Sequence, residues 1–215
     1  MITIVIKNMP PVESQSNGSI WQKAPMRVSK ADAEKNRARL IAEAGKQLRE
    51  HGIEGVGVDA LAKAADLTHG SVYSHFKSKD DLTAAAVAHA LQTSFREWVA
   101  LTEGLAPDEA FRQMIRIYVS RHHRDSPGAG CSIATLGAGA GRGGKKLRNT
   151  FAHGVEGLIG MMVAMTGEKP EKDRRSTAIV DVAAMVGAVV MARAAGANPE
   201  LSDEILRTVR AELLK

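Results

Sequence analysis

His69, Ser71, Tyr73, Ser74 and His75, followed at once by Lys77 and Lys79, crowd imidazole, hydroxyl and ammonium donors into one short segment, and Gly70 leaves a gap among them where backbone can approach another surface. On the first turns of a helix such groups suit hydrogen bonding to base edges in a major groove and to phosphate oxygens. Thr68 stands where its hydroxyl would cap that helix by accepting an otherwise orphaned backbone N–H. The chemistry is recognition rather than bond making.

Two short helices and a tight turn must hold these groups. Leu61, Ala62 and Ala65 form one apolar stripe, and Leu67, Val72 and Phe76 supply the facing side of a small core. Asp66 falls at the turn, and Asp is one of the few side chains that tolerate the left-handed region. Ser78 and Asp81 read as a capping box with Asp in the Glu/Gln position, opening another helix whose N-terminal dipole favours a phosphate. Upstream, Leu40, Ile41, Ala44 and Leu48 recur at helical spacing between a Ser29 cap and a terminating Gly52.

Residues from about Arg37 to Leu82 resemble the DNA-binding domain of TetR-family transcriptional regulators. The resemblance rests on a long first helix, Gly52, the helix-turn-helix, and a Tyr-x-His-Phe-x-x-Lys signature matched by Tyr73, His75, Phe76 and Lys79. It implies that Tyr73, His75 and Lys79 clamp phosphates and that Thr68, His69, Gly70 and Ser71 read bases. There are two departures. Gly57 stands where the family usually has a Ser or Thr cap, and Asp66 replaces the common turn glycine and adds a negative charge near the DNA side.

With 215 residues and 44% hydrophobic composition, the chain is long enough for a small domain plus a larger one. Aromatics are only 4%, and no run of alternating β-branched residues follows residue 28, so an all-α fold is expected. The formal net charge of +5 divides into +2 for residues 1–82 and +3 for the remainder, so positioned charges, not bulk charge, must carry any nucleic-acid binding. The single cysteine, Cys131, excludes an internal disulfide framework and suits a reducing cytoplasm, where its simplest role is that of a small buried apolar residue. Residues 1–28 read as a disordered leader, too short in their apolar opening for a membrane span.

Beyond residue 78 the periodicity predicts a linking helix at about 79–101, with Leu82, Ala86, Ala90 and Phe95 inward, and another from Pro107 carrying Phe111, Met114, Ile115 and Tyr118. A further amphipathic helix carries Leu147, Phe151, Val155, Leu158, Met162 and Met165. Phe111, Met114, Tyr118, Phe151 and Met162 are the candidate lining of an effector cavity. The nearly uniformly apolar stretch 178–192, judged too short to cross a membrane, places Ala183, Ala184, Gly187 and Ala188 where a second helix can come close. Ser202 should start a last helix whose Ile205 and Val209 complete a dimer interface, in agreement with the four-helix interface that the resemblance implies.

Rival signals are weaker. Gly139, Gly144 and Lys145 satisfy part of a phosphate-binding loop pattern, but Lys146 replaces its Ser or Thr, so 137–146 is expected to be an interhelical loop. His122, His123 and Cys131 could serve a helical enzyme, yet adjacent histidines project to different sides of a helix and no orienting third group is identifiable. A non-specific nucleic-acid-binding protein would need a stacking aromatic platform, which the sequence lacks. The sequence thus reads as a cytoplasmic, all-α, homodimeric transcriptional regulator, most simply a repressor. A three-helix DNA-binding domain at 29–78 precedes a larger helical effector-binding and dimerisation domain at 79–215. Its expected partners are a double-stranded DNA operator and a small-molecule effector, with no cofactor, metal, catalytic residue or membrane.

Overall fold

The computed structural model describes residues 29–166 and 171–215, so the leader expected at 1–28 lies outside the described residues. Local rules set the first helix. Ser29 accepts the backbone N–H of Asp32 at 3.1 Å, α1 runs Lys30–His51, and Gly52 ends it at φ 80°, where a side chain would be strained. Helices α2 (Val58–Ala64) and α3 (His69–His75) form the helix-turn-helix, and α4 (Lys79–Thr102) leads out of it. The body adds α5 (Pro107–Tyr118), the short α6 (Arg121–Asp125), a 3-10 turn at Pro127–Ala129, α7 (Ser132–Ala140), α8 (Lys145–Met165), α9 (Glu171–Ala194) and α10 (Pro199–Leu213). Among the described residues there is no strand, so the all-α expectation holds.

Leu40, Ala44 and Leu48 of α1 face Leu61 and Val72 of the helix-turn-helix and Leu82 and Ala86 of α4, all of them buried. At Gly45 the helices come so close that a Cβ would lie 3.2 Å from the Ala86 carbonyl oxygen. The first turns of α4 therefore complete the core of the head, and its later turns, with Leu91, Phe95 and Trp98, belong to the core of the body. One hydrophobic cluster runs without a gap from Leu40 to Leu206, so residue 78 ends the recognition motif but not its packing.

Three expectations change. The glycine-rich stretch is not a long loop: α7 reaches Ala140, and only 141–144 turn before α8 begins. Small residues there serve close packing, since a Cβ on Gly139 would lie 3.3 Å from Cδ1 of Ile53. The last helix starts at Pro199 rather than Ser202, because Asn198 accepts the Leu201 N–H at 3.2 Å, while Ser202 lies inside and donates to the Ala192 carbonyl at 2.7 Å. The apolar helix is also longer than its central stretch. Its segment Asp173–Ala194 is long and apolar enough to cross a membrane by length and composition, so the length argument against a span fails. Its packing differs from that of an isolated span: Ala178, Val182, Met185, Val189 and Ala192 are buried in the common core.

Candidate nucleic-acid interface

The turn between α2 and α3 depends on Asp66, whose φ of 54° is the one positive value at a non-glycine residue among those described. The turn is closed by the Leu67 N–H bonding to the Ala62 carbonyl at 2.9 Å, and Arg39 of α1 reaches the Asp66 carbonyl at 3.5 Å. Gly57 precedes α2 with no side-chain cap, consistent with the departure noted in the sequence. Thr68 caps α3, its Oγ1 accepting the Ser71 N–H at 3.3 Å.

Leu61, Ala65, Val72 and Phe76 anchor α3 from beneath, so the opposite face stays open. His69, Gly70, Tyr73 and Ser74 are exposed, Ser71 is half-buried, and outside the helix backbone no described atom lies within 4 Å of where a Cβ on Gly70 would stand. Not every donor remains available: Ser74 Oγ donates to the Ser71 carbonyl at 2.7 Å and uses its proton within the helix. His69 is engaged too, its Nδ1 bonded to Asp59 Oδ1 on α2 and its ring 5.1 Å from that of Tyr73.

The residues expected to clamp phosphates gather beside this face. His75 is half-buried, and burial, then the charge of Arg37, push its pKa below the ordinary histidine value, so at neutral pH it offers a neutral ring. Arg37 stacks 4.9 Å from the centre of the Phe76 ring, which fixes a guanidinium beside the signature. Lys77 is exposed and Lys79 half-buried at the start of α4. Ser78 caps α4 by accepting the Asp81 N–H at 3.1 Å, but Asp81 Oδ1 takes Lys146 Nζ at 2.7 Å, tying the start of α4 to α8. Sequence reading missed Arg37 and Asp59 as parts of this surface. Both contacts join different helices, and no local spacing announces them.

In the body, Met114, Tyr118, Phe151 and Met162 are buried and Phe111 is half-buried against them. Concavities of about 300 and 240 Å³ lie elsewhere. The first is lined by Arg124, Arg193, Ser202 and Asp203, the second by Arg49, His89, Thr93 and Glu97, where α1 meets α4. On α9, Ala183 is exposed and Ala184 and Gly187 are half-buried, but Ala188 is buried inside the protomer at 2% exposure. Ile205 and Val209 likewise pack partly against their own core. The open apolar face of α9 is instead made by Val180, Ala183, Gly187, Val190 and Met191.

The sequence pattern of bacterial regulatory proteins of the tetR family matches residues 40–86, the span from α1 into α4. A probable acrEF/envCD operon repressor of Escherichia coli K12 is 36% identical over 88 residues, 40% of this chain and 39% of that protein. An HTH-type transcriptional regulator of Staphylococcus aureus USA300 is 39% identical over 51 residues, 24% of this chain and 28% of its own length. The chain thus spans well under half the length of these curated relatives. A TetR transcriptional regulator from Chloroflexus aurantiacus shares the fold at a TM-score of 0.72 and 21% identity, over 86% of this chain and 94% of that one. A TetR-family regulator from Cytophaga hutchinsonii does so at 0.71 and 19%, over 85% and 94%.

Proposed function

We propose that the chain, whose residues 40–86 match the tetR family of bacterial regulatory proteins, is a member of that family and a ligand-responsive repressor that binds a palindromic operator as a homodimer in the cytoplasm. The observation that carries the reading is the open face of α3, with Tyr73, His75, Lys77 and Lys79 disposed around it and a small core fixing its orientation. The open apolar face of α9 supports a second copy of the chain as partner, because a contiguous exposed patch of this kind favours association.

A two-fold dimer presents its two recognition helices to successive major grooves, roughly 34–36 Å apart. The linking helix α4 belongs to both cores, so a small molecule that shifts α4 within the body changes that separation and lowers affinity for the operator. Tyr73, His75, Lys77 and Lys79 are assigned to the backbone, and His69, Gly70, Ser71 and the Thr68 hydroxyl proton to base edges. Tyr118, whose ring lies 5.7 Å from that of Trp98 on α4, is buried in one core with Met114 and Met162, and an apolar effector would enter by displacing these side chains. Two local facts weigh against an enzyme built on His123 and Cys131. Both nitrogens of His123 bond to backbone, and Cys131 is buried, with burial raising its thiol pKa. The test is retention of duplexes from a genomic fragment pool by the purified full chain, followed by release with candidate compounds. Retention of one palindromic sequence with two heads bound supports the reading; retention of none refutes it.

A further inference from the structure

His69 is the first residue of α3, and Asp59 is the second residue of α2, and the turn at Asp66 folds the two helices so that their side chains meet. Asp59 Oδ1 bonds to Nδ1 of His69, and both side chains remain largely open to solvent, at 84% and 56% exposure. A carboxylate only accepts, so the neutral imidazole must carry its proton on Nδ1 and present Nε2 as a bare lone pair. The ring of Tyr73, 5.1 Å away and inclined by 44°, flanks the imidazole one turn further along α3.

We propose that Asp59 is a specificity-determining residue, acting through His69: by holding the Nδ1 proton it makes His69 an acceptor toward the major groove, selective for a base that carries an exocyclic amine. In that groove adenine N6 and cytosine N4 are donors, whereas guanine O6 and N7 and thymine O4 are acceptors. A ring with its lone pair outward bonds to the first two and opposes the other two. Asp59 cannot contact phosphates favourably, and its charge opposes DNA of every sequence equally. Its benefit therefore has to appear in discrimination rather than in affinity. The inference rests on the reading of α3 as a DNA-reading helix.

The test uses full-length protein and the duplex that it retains most tightly, with each operator position varied through the four base pairs at neutral pH. The position lost as a preference in His69→Ala marks the base read by His69. Wild-type protein should favour adenine or cytosine there over guanine or thymine by about tenfold. Asp59→Ala should flatten that preference, whereas Asp59→Asn, whose amide oxygen still accepts the Nδ1 proton, should keep it and bind all duplexes more tightly. In a His69→Ala background Asp59→Ala should leave base preference untouched. A wild-type preference for guanine, an unchanged preference in Asp59→Ala, or no position affected by His69→Ala would overturn the proposal and leave DNA binding standing. Failure to retain any duplex would overturn both.

Discussion

The imidazole of His123 accepts the backbone N–H of Cys131 at 2.9 Å through Nε2, while its Nδ1 donates to the Tyr118 carbonyl at 2.7 Å. Both ring nitrogens are satisfied only when the ring is neutral, and burial pushes its pKa down from 6.5 to about 4. Between those values the unfolded chain binds a proton that the folded chain refuses. Stability therefore falls as pH drops from about 6.5 toward 4 and is flat above. The loss between pH 7.5 and 5 should be about 2 kcal/mol from this group. Burial lowers His75 and His89 in the same direction. Urea unfolding of wild type and His123→Asn at the two pH values isolates the His123 share, and equal losses in both proteins would disprove it.

Asp66 gives a second prediction. Its φ of 54° costs a β-branched side chain far more than Asp or Gly, so Asp66→Val should destabilise the protein by about 1–2 kcal/mol, and Asp66→Gly should be near neutral. Asp66→Gly should also bind DNA somewhat more tightly by removing a negative charge near the interface. Thermal unfolding with a binding titration checks both, and a Val variant as stable as wild type would mean that the turn relaxes.

What the sequence made legible was what short-range chemistry decides. The Ser29 and Ser78 caps, the Gly52 stop, the Asp66 turn and the buried stripe of Leu40, Ala44 and Leu48 each follow from a few neighbouring residues. What it concealed was set by contacts distant in the chain. Gly137 and Gly139 look like loop formers, yet both lie inside α7, where a Cβ on Gly139 would stand 3.3 Å from Cδ1 of Ile53, a residue distant in the chain. Arg37 reaches Phe76 and Asp59 reaches His69 only after the head has folded. The division of α9 into covered and open faces was equally hidden, because Ala188 and Ala183 are alike in composition and differ only in what packs on them.

Lys79 stands at the start of α4 beside the recognition helix, where its ammonium and the helix N-terminus both favour a phosphate. Lys79→Ala should weaken binding to operator and unrelated duplexes alike and reduce the salt slope of log affinity by about one unit. Tyr73→Phe, which removes only a hydroxyl, should weaken both duplexes alike without changing that slope. Titrations at several salt concentrations decide the matter; a selective loss on the operator alone would move either residue from the backbone to the bases.

Gly187 separates association from folding. Outside its own helix backbone, no described atom lies within 4 Å of where its Cβ would stand, so a Cβ there clashes with nothing among the described residues of the protomer. The neighbours on the same face are Val180, Ala183, Val190 and Met191, apolar and open. A partner helix packed on that face at the usual 8–10 Å axial distance would meet a leucine at 187 directly. Gly187→Leu should therefore keep its helical content while shifting from dimer to monomer and losing operator affinity, since one head alone makes half of the contacts. Sedimentation and operator titration read this out together. A Gly187→Leu protein that stays dimeric with native affinity would place the interface on another surface, and a monomeric wild type would remove the two-headed mechanism itself.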